Sequence, residues 1–100
     1  MTRSAVLAEH AQLDIDEARV WYASHAGSGI AREFVDAVDA VIARITEFPE
    51  NHPIVHARLR LARLRRFPYL ILFAVETNAI VVYRCVHTRR DPRRWREPIR

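Results

Sequence analysis

The side chains that could do chemistry are concentrated in the second half of this 100-residue chain. The first fifty residues carry four Arg and nine acidic residues, a net charge of −5, whereas the last fifty carry twelve Arg and three acidic residues, a net charge of +9. A clustered positive charge attracts phosphate groups or acidic proteins and speeds encounter with either. We therefore expect an anionic partner.

Few side chains of the basic half are of a type that moves a proton. All sixteen cationic residues are Arg, and a guanidinium does not lose its proton in a protein. Cleavage of RNA through the ribose 2′-hydroxyl needs a group that accepts that proton and others that stabilise the phosphorane. The candidate acceptors that we single out are His87, Asp91 and Glu76, and Arg90 could stabilise charge. His87 and Arg90 are therefore candidate catalytic residues; the alternative is a structural His87, bonded to a loop at a strand end.

Arginines also form two groups that could bind a partner. The first is the basic strip, residues 58–66, which is either a contact surface or the solvated face of an edge strand. The second is the basic tail, residues 88–100, in which Trp95 lies among arginines, an arrangement that suits a stacking surface or a partner's pocket. The candidate contact residues are Arg60, Arg63, Arg65, Arg66, Arg89, Arg90, Arg93, Arg94 and Trp95.

Composition and segment lengths exclude several functional classes. The lone Cys85 excludes an intrachain disulfide and a cysteine-based zinc site, and we expect no metal or other cofactor. Residues 1–10 lack the apolar core of a signal peptide. The longest uncharged, mostly apolar stretch, residues 67–75, is about half as long as a membrane helix. We expect a cytoplasmic protein that does not associate with membranes.

Two apolar stripes predict a pair of helices. The first stripe, with steps of four, three and four residues, predicts a helix over residues 9–25. It consists of Ala11, Ile15, Ala18 and Tyr22. The second predicts a helix of about eighteen residues that ends before Pro49. It consists of Ile30, Phe34, Val38, Val41, Ile45 and Phe48. Gly27-Ser28-Gly29 would form the turn of this antiparallel hairpin, with Ser28 as a candidate N-cap. We expect Trp21 and Tyr22 to pack between helix and sheet.

The second half of the chain predicts strands. Residues 69–75 and 79–86 are apolar on both faces, as in central strands, and residues 76–78 suit a tight turn between them. Before them, Leu59 and Leu61 alternate with arginines but Leu64 has the opposite parity, which requires either a bulge near Ala62 or a short strand followed by irregular chain. Residues 4–8 could add a short strand, and the basic tail contains at most one helical turn. Residues 1–100 are thus predicted to form a single α+β domain, with a helical hairpin packed on a small, mainly antiparallel sheet.

Several pieces of the sequence, in their order and spacing, resemble the toxins of the ParE/RelE superfamily, the toxic partners in bacterial type II toxin–antitoxin systems. The pieces are Ala11-x-x-Asp14-Ile15-x-x-Ala18 with Trp21-Tyr22, Phe34 with Ile45 and Glu47-Phe48-Pro49, Arg65-Arg66-Phe67-Pro68-Tyr69, and Val86-His87 with Arg90-Asp91-Pro92 and Trp95. They span most of the chain. The resemblance implies the same order of helical hairpin and sheet, a role in growth inhibition and plasmid stabilization, and a hetero-oligomer with a cognate antitoxin whose binding segment is small and acidic.

The superfamily contains two chemistries, which the resemblance separates by individual positions. RelE-like members are ribosome-dependent endoribonucleases, and ParE-like members poison DNA gyrase. RelE-like toxins carry an Arg after the tyrosine that opens the third strand, lysines on the preceding strand and a Tyr near the C-terminus. This chain has Leu70 at the first position, no Lys, and Arg96 at the last; only Arg90 is retained.

The resemblance is therefore closer to the ParE-like branch, which implies inhibition of DNA gyrase without catalysis. Some nuclease members use a histidine near the end of the fourth strand, so a ribosome-dependent mRNA endoribonuclease that uses His87 and Arg90 is the alternative. A degenerate toxin that only binds its antitoxin is a further one.

Overall fold

The computed structural model describes residues 4–89, in which two helices pack on one face of a five-stranded sheet. The elements are β1 (Ser4–Leu7), α1 (Glu9–Ala26), α2 (Ser28–Glu47), a 3₁₀ turn (Pro49–Asn51), β2 (Ile54–His56), β3 (Leu59–Arg63), β4 (Tyr69–Val75) and β5 (Ala79–His87). The strand order is β1-β5-β4-β3-β2. β1 pairs with β5 in parallel and the other pairs are antiparallel, which confirms the predicted α+β class and its mainly antiparallel sheet.

The helical hairpin follows the two predicted stripes. α1 buries small side chains and Ile15, and α2 buries a longer stripe that is centred on Phe34 and Val38. Gly27 joins the helices with φ at +95°, a backbone conformation that L side chains rarely adopt. Gly27 itself is the N-cap of α2, and no side chain caps that end. The predicted N-cap role of Ser28 is therefore wrong, because Ser28 is already the first helical residue.

The strands confirm most of the predicted pattern. β4 has the predicted bounds, β5 extends one residue further, and Glu76 N–H donates to Ala79 O to close the turn between them. β1 confirms the short N-terminal strand. β3 is short and then irregular, which was one of the two predicted alternatives; Leu64 is buried after the strand has ended. The 3₁₀ turn and the three-residue β2 were not predicted: both are short, Pro49 opens the first, and Pro53 immediately precedes the second.

A β-bulge at Tyr83 decides which side chains of β5 face the helices. Leu72 pairs with Arg84 but Phe73 pairs with Val82, so Tyr83 is one extra residue on β5. The shift allows Cys85 to join Val82 in the main core, although strict alternation would place these two residues on opposite faces. Arg84, the residue after the bulge, reaches α1 and forms a hydrogen bond with Asp14.

The sheet carries apolar side chains on both faces, as predicted for central strands. The main cluster lies under the helices and includes Phe34, Ile71 and Phe73. A second cluster of Leu70, Leu72 and Val86, with Val55 and Leu61 against it, lies on the opposite face by strand alternation. Leu72 and Val86 are almost fully buried there. Apolar contacts on both faces fix the β4–β5 hairpin in one register.

Candidate functional site

The edge of β5 beyond β1 is covered by α1 instead of by a strand. β1 pairs with β5 only as far as Val82, whose carbonyl then accepts a hydrogen bond from Ala8 N at 2.9 Å. α1 begins at Glu9, directly after Ala8, and packs along the rest of β5. The Cys85 N–H, which points away from β4, donates to Asp14 Oδ2 at 2.9 Å. A side chain of α1 thus completes the hydrogen bonding of this sheet edge.

Asp14 also forms a bidentate ion pair with Arg84. Arg84 Nε donates to Asp14 Oδ2 at 2.7 Å, and the Arg84 terminal NH2 donates to Oδ1 at 3.1 Å. The side chains are only 13% and 11% exposed, so this pair is far better shielded from water than a surface salt bridge. The Arg84 guanidinium is therefore bound to Asp14 within the protein and is not available to an anionic ligand.

A cleft opens between α1 and the end of β5. Its lining consists of Asp14, Glu17, Ala18, Trp21, Tyr22, Pro68, Tyr69, Cys85 and His87. Two adjoining parts of about 190 and 410 Å³ share Trp21, Tyr69 and His87. Among residues 4–89, two carboxylates and no arginine line this space. No group of three or more metal-ligating side chains occurs in that part of the chain.

His87 lies at the end of β5 and is bonded to the turn that follows. Its Nδ1 accepts the Arg89 N–H at 3.1 Å, and its ring meets Tyr69 edge to face at 5.2 Å between centroids. Because Nδ1 accepts a backbone N–H, a neutral His87 carries its proton on Nε2. This arrangement matches the structural alternative for His87. Arg90, the other candidate catalytic residue, lies outside the described residues.

The thiol of Cys85 touches the same cleft but is not a nucleophile. The pKa of Cys85 is raised to about 12, chiefly by burial and to a smaller extent by the nearby Asp14 carboxylate, while Arg84 acts in the opposite direction. The residue is 2% exposed and belongs to the main core. A thiol of this kind stays protonated near neutral pH and is unreactive.

Two neighbouring aromatic residues of α1 behave differently. Tyr22 packs against Phe34 and Phe67 with ring centroids 5.3 and 5.2 Å away, and burial raises its pKa. Trp21 is 53% exposed and stacks on His25 at 4.3 Å. The prediction that both pack between helix and sheet is confirmed for Tyr22 and wrong for Trp21, which lies on the flank of the helix.

The basic strip does not form one surface. Arg60 pairs in register with Phe73 of the main cluster, whereas Arg63 pairs with Leu70 of the opposite cluster, so their side chains leave opposite faces of the sheet. The Arg60 terminal NH2 donates to His52 O at 2.7 Å in a partly buried position. The Arg60 guanidinium is thereby hydrogen-bonded within the protein.

Three exposed arginines remain at the end of the strip, in a segment that we call the basic loop, residues 63–66. Arg66 has φ at +72°, donates to Glu33 and lies over the Phe67 ring at 5.7 Å. The side chains of Arg63 and Arg65 form no hydrogen bond or ion pair with the other described residues. These two guanidinium groups are therefore the ones of the basic loop that are available to an anionic partner. Arg89 is exposed at the end of β5, while Arg93, Arg94 and Trp95, and the helical turn predicted for the tail, lie outside the described residues.

Comparison with known proteins decides the family. Residues 5–92 match the family model described as the ParE toxin of the type II toxin–antitoxin system parDE.

The chain belongs to the ParE toxin family.

A solved structure supports the fold of the toxin. The structure titled "Chromosomal ParDE TA system from P. aeruginosa" has a TM-score of 0.77 and 19% sequence identity, and the match covers 86% of this chain and 96% of that chain. A search of curated protein sequences gave no match. The predicted superfamily and its ParE-like branch are both confirmed.

Sequence reasoning missed the contact that organises the cleft. Asp14 was part of the family resemblance, but its partner Arg84 lies 70 residues away, within residues 79–86, which were predicted as an apolar central strand. An acidic residue on the flank of the buried stripe of α1 was the available signal, because Asp14 is adjacent to Ile15 in the sequence and one turn before Ala18. The bulge at Tyr83 also had no sequence signal that we recognised.

Proposed function

We propose that this protein is the toxic component of a type II toxin–antitoxin system, that it inhibits growth by binding and poisoning DNA gyrase, and that a cognate antitoxin neutralises it. The observation that carries the proposal is the ParE family match over residues 5–92. The similar P. aeruginosa structure is titled as a ParDE toxin–antitoxin system, which supports an antitoxin partner. No helix among residues 4–89 has the length and apolar character to span a bilayer. We place the action of the toxin in the cytoplasm.

The chemistry of the cleft supports binding over catalysis. Transfer of a phosphoryl group needs cations aimed at the developing negative charge. Among the described residues, however, the cleft at His87 is lined by Asp14 and Glu17 and by no cation. Carboxylates repel a phosphate, so the described residues around His87 do not supply the cationic surroundings that a ribonuclease would require. The arrangement favours a toxin that acts by holding a protein.

The antitoxin is expected to meet the basic loop. Its binding segment should be acidic, and Arg63 and Arg65 offer two exposed guanidinium groups without intramolecular ion pairs among the described residues. Carboxylates pair with guanidinium groups in two-pronged hydrogen bonds, which gives such a contact geometric selectivity. The segment would become ordered on binding, as short partner segments commonly do.

Purified components test the proposed target. The toxin should inhibit DNA supercoiling by gyrase or accumulate gyrase–DNA cleavage complexes, and equimolar antitoxin should reverse the effect. A ribosome-dependent mRNA cleavage assay is run in parallel with His87→Ala. Cleavage of ribosome-bound mRNA that His87→Ala abolishes, without any effect on gyrase, would establish the nuclease alternative instead.

A further inference from the structure

The face of α1 opposite its buried stripe carries exposed apolar side chains. Leu13 is 52% exposed and Val20 is 53% exposed. They lie seven residues apart, which is close to two helical turns and about 10 Å along the axis, so both project from the same face. The buried residues Ala11, Ile15 and Ala18 occupy the other face. We call Leu13 and Val20 the outer ridge of α1.

Carboxylates border the outer ridge on both sides. Asp16 and Glu17 lie between Leu13 and Val20 along the helix, and both are exposed. Glu9 is exposed one turn before Leu13. The one basic residue in this stretch, Arg19, is about 100° away from Val20 around the helix. The ridge is therefore an apolar contact with a negative border, in contrast to the positive basic loop.

This charge pattern selects among the proteins that could cover the ridge. An acidic antitoxin segment would be repelled by Asp16 and Glu17 and attracted by the basic loop. A second copy of the toxin that paired its ridge with this one in antiparallel fashion would bring four carboxylates together, which also disfavours it. A protein whose apolar contact is bordered by Arg or Lys fits both the ridge and its border.

We infer that the outer ridge of α1 is the surface with which the toxin holds its target protein, and that the matching target surface is apolar with a border of Arg or Lys. The inference rests on the proposed function and adds a division of the toxin into two surfaces. The basic loop takes the antitoxin, and the ridge takes the target. Apolar anchors near the centre of an interface contribute most of its affinity, while a charged border improves selectivity and association rate.

The double variant Leu13→Ser/Val20→Ser tests the ridge. Both side chains are half exposed, so we expect the variant to fold, and circular dichroism and thermal unfolding check this. Its affinity for the target should fall about tenfold or more, from the lost apolar burial, and induced expression should no longer arrest growth. Its affinity for the antitoxin should be unchanged. The matched control is Phe48→Ser/Ile54→Ser, which removes two apolar side chains of 54% and 56% exposure that do not belong to α1 and should leave growth arrest intact.

A second variant, Asp16→Asn/Glu17→Gln, tests the charged border without removing the ridge. It should weaken target binding about threefold to tenfold and reduce the dependence of that binding on salt, because fewer charge pairs are formed. The control, Asp36→Asn/Asp39→Asn, removes two exposed carboxylates of α2 and should change neither quantity.

Three outcomes would overturn the inference: growth arrest that survives Leu13→Ser/Val20→Ser, an equal loss of antitoxin and target binding, or a wild-type protein that does not arrest growth. The growth readout does not depend on which target is correct. The wild-type toxin could arrest growth in a way that depends on Leu13 and Val20 and yet leave gyrase unaffected. That result would refute gyrase as the target and would support the ridge as the target-binding surface.

Discussion

Two regions of the molecule pair a carboxylate with a guanidinium group, with different consequences. One is the junction between α1 and β5, and the other is the basic loop. At the junction, Asp14 and Arg84 are 13% and 11% exposed, and Asp14 accepts three hydrogen bonds. In the basic loop, Arg66 and Glu33 form an ion pair at 67% and 43% exposure, while Arg63 and Arg65 have no ion pair with described residues. A shielded pair holds a fold together, whereas exposed charges contribute little to stability and stay available to a partner.

The largest expected effect on stability is that of removing Asp14 from the junction. The Asp14→Ala variant leaves the Arg84 guanidinium without its partner and the Cys85 N–H without its acceptor. We expect the free energy of unfolding to fall by about 3–5 kcal/mol, as is typical when one partner of a shielded pair is lost. Urea denaturation measures this. Asp16→Ala, at an exposed position two residues along α1, should stay within about 0.5 kcal/mol of wild type. Similar values for the two variants would show that the junction is no more important than the surface.

The same junction predicts a loss of stability at high pH through Cys85. Its pKa is raised from the ordinary value of 9.0 to about 12, so the folded protein keeps the proton that the unfolded chain releases. The stabilisation is complete below pH 9 and is lost as the pH rises from 9 toward 12. Between pH 8.5 and 10.5 the loss should approach about 2 kcal/mol.

Cys85→Ser is the control for this pH dependence. It should cost stability at every pH, but it should lack the extra loss above pH 9, because a serine hydroxyl does not titrate there. Subtracting its profile removes the tyrosine titrations that both proteins share. Parallel profiles for the two proteins would mean that the thiol is not shielded as the structure indicates.

Sequence patterns predicted the helices and strands whose structure follows from their own local periodicity. The stripes of α1 and α2 and the two-faced apolar strands β4 and β5 follow from local periodicity, and the structure has them at nearly the predicted bounds. The basic strip does not form one surface, for a reason that strand geometry could have shown: Arg60 and Arg63 are an odd number of residues apart, so they leave opposite faces.

The junction could not be predicted in this way. Asp14 and Arg84 meet because β1 pairs with β5 only as far as Leu7, so that α1 lies beside the rest of β5. This is a tertiary feature without a local periodic signal. The exposed position of Trp21 has the same origin, since it depends on which flank of α1 faces the end of β5.

Reversing the charges of Arg63 and Arg65 tests whether the basic loop binds the antitoxin. Arg63→Glu/Arg65→Glu should weaken antitoxin binding about tenfold, measured by calorimetry, and should leave the free energy of unfolding within about 0.5 kcal/mol of wild type. Arg19→Glu/Arg44→Glu makes the same change of charge at exposed helical positions and should have a much smaller effect on binding. If both variants weaken binding equally, net charge and not the basic loop attracts the antitoxin.

The smallest expected effect is that of Glu33→Gln, which removes the charge that faces Arg66. Both side chains are well exposed, and an exposed ion pair typically contributes about 0–0.5 kcal/mol, so urea denaturation should scarcely distinguish the variant from wild type. Antitoxin affinity, in contrast, should rise slightly, because Arg66 loses an internal competitor and the loop gains net positive charge. A loss of more than about 1 kcal/mol of stability would contradict this. It would mean that Glu33 is needed to hold Arg66 at its positive φ, and the basic loop would then be a structural element like the junction.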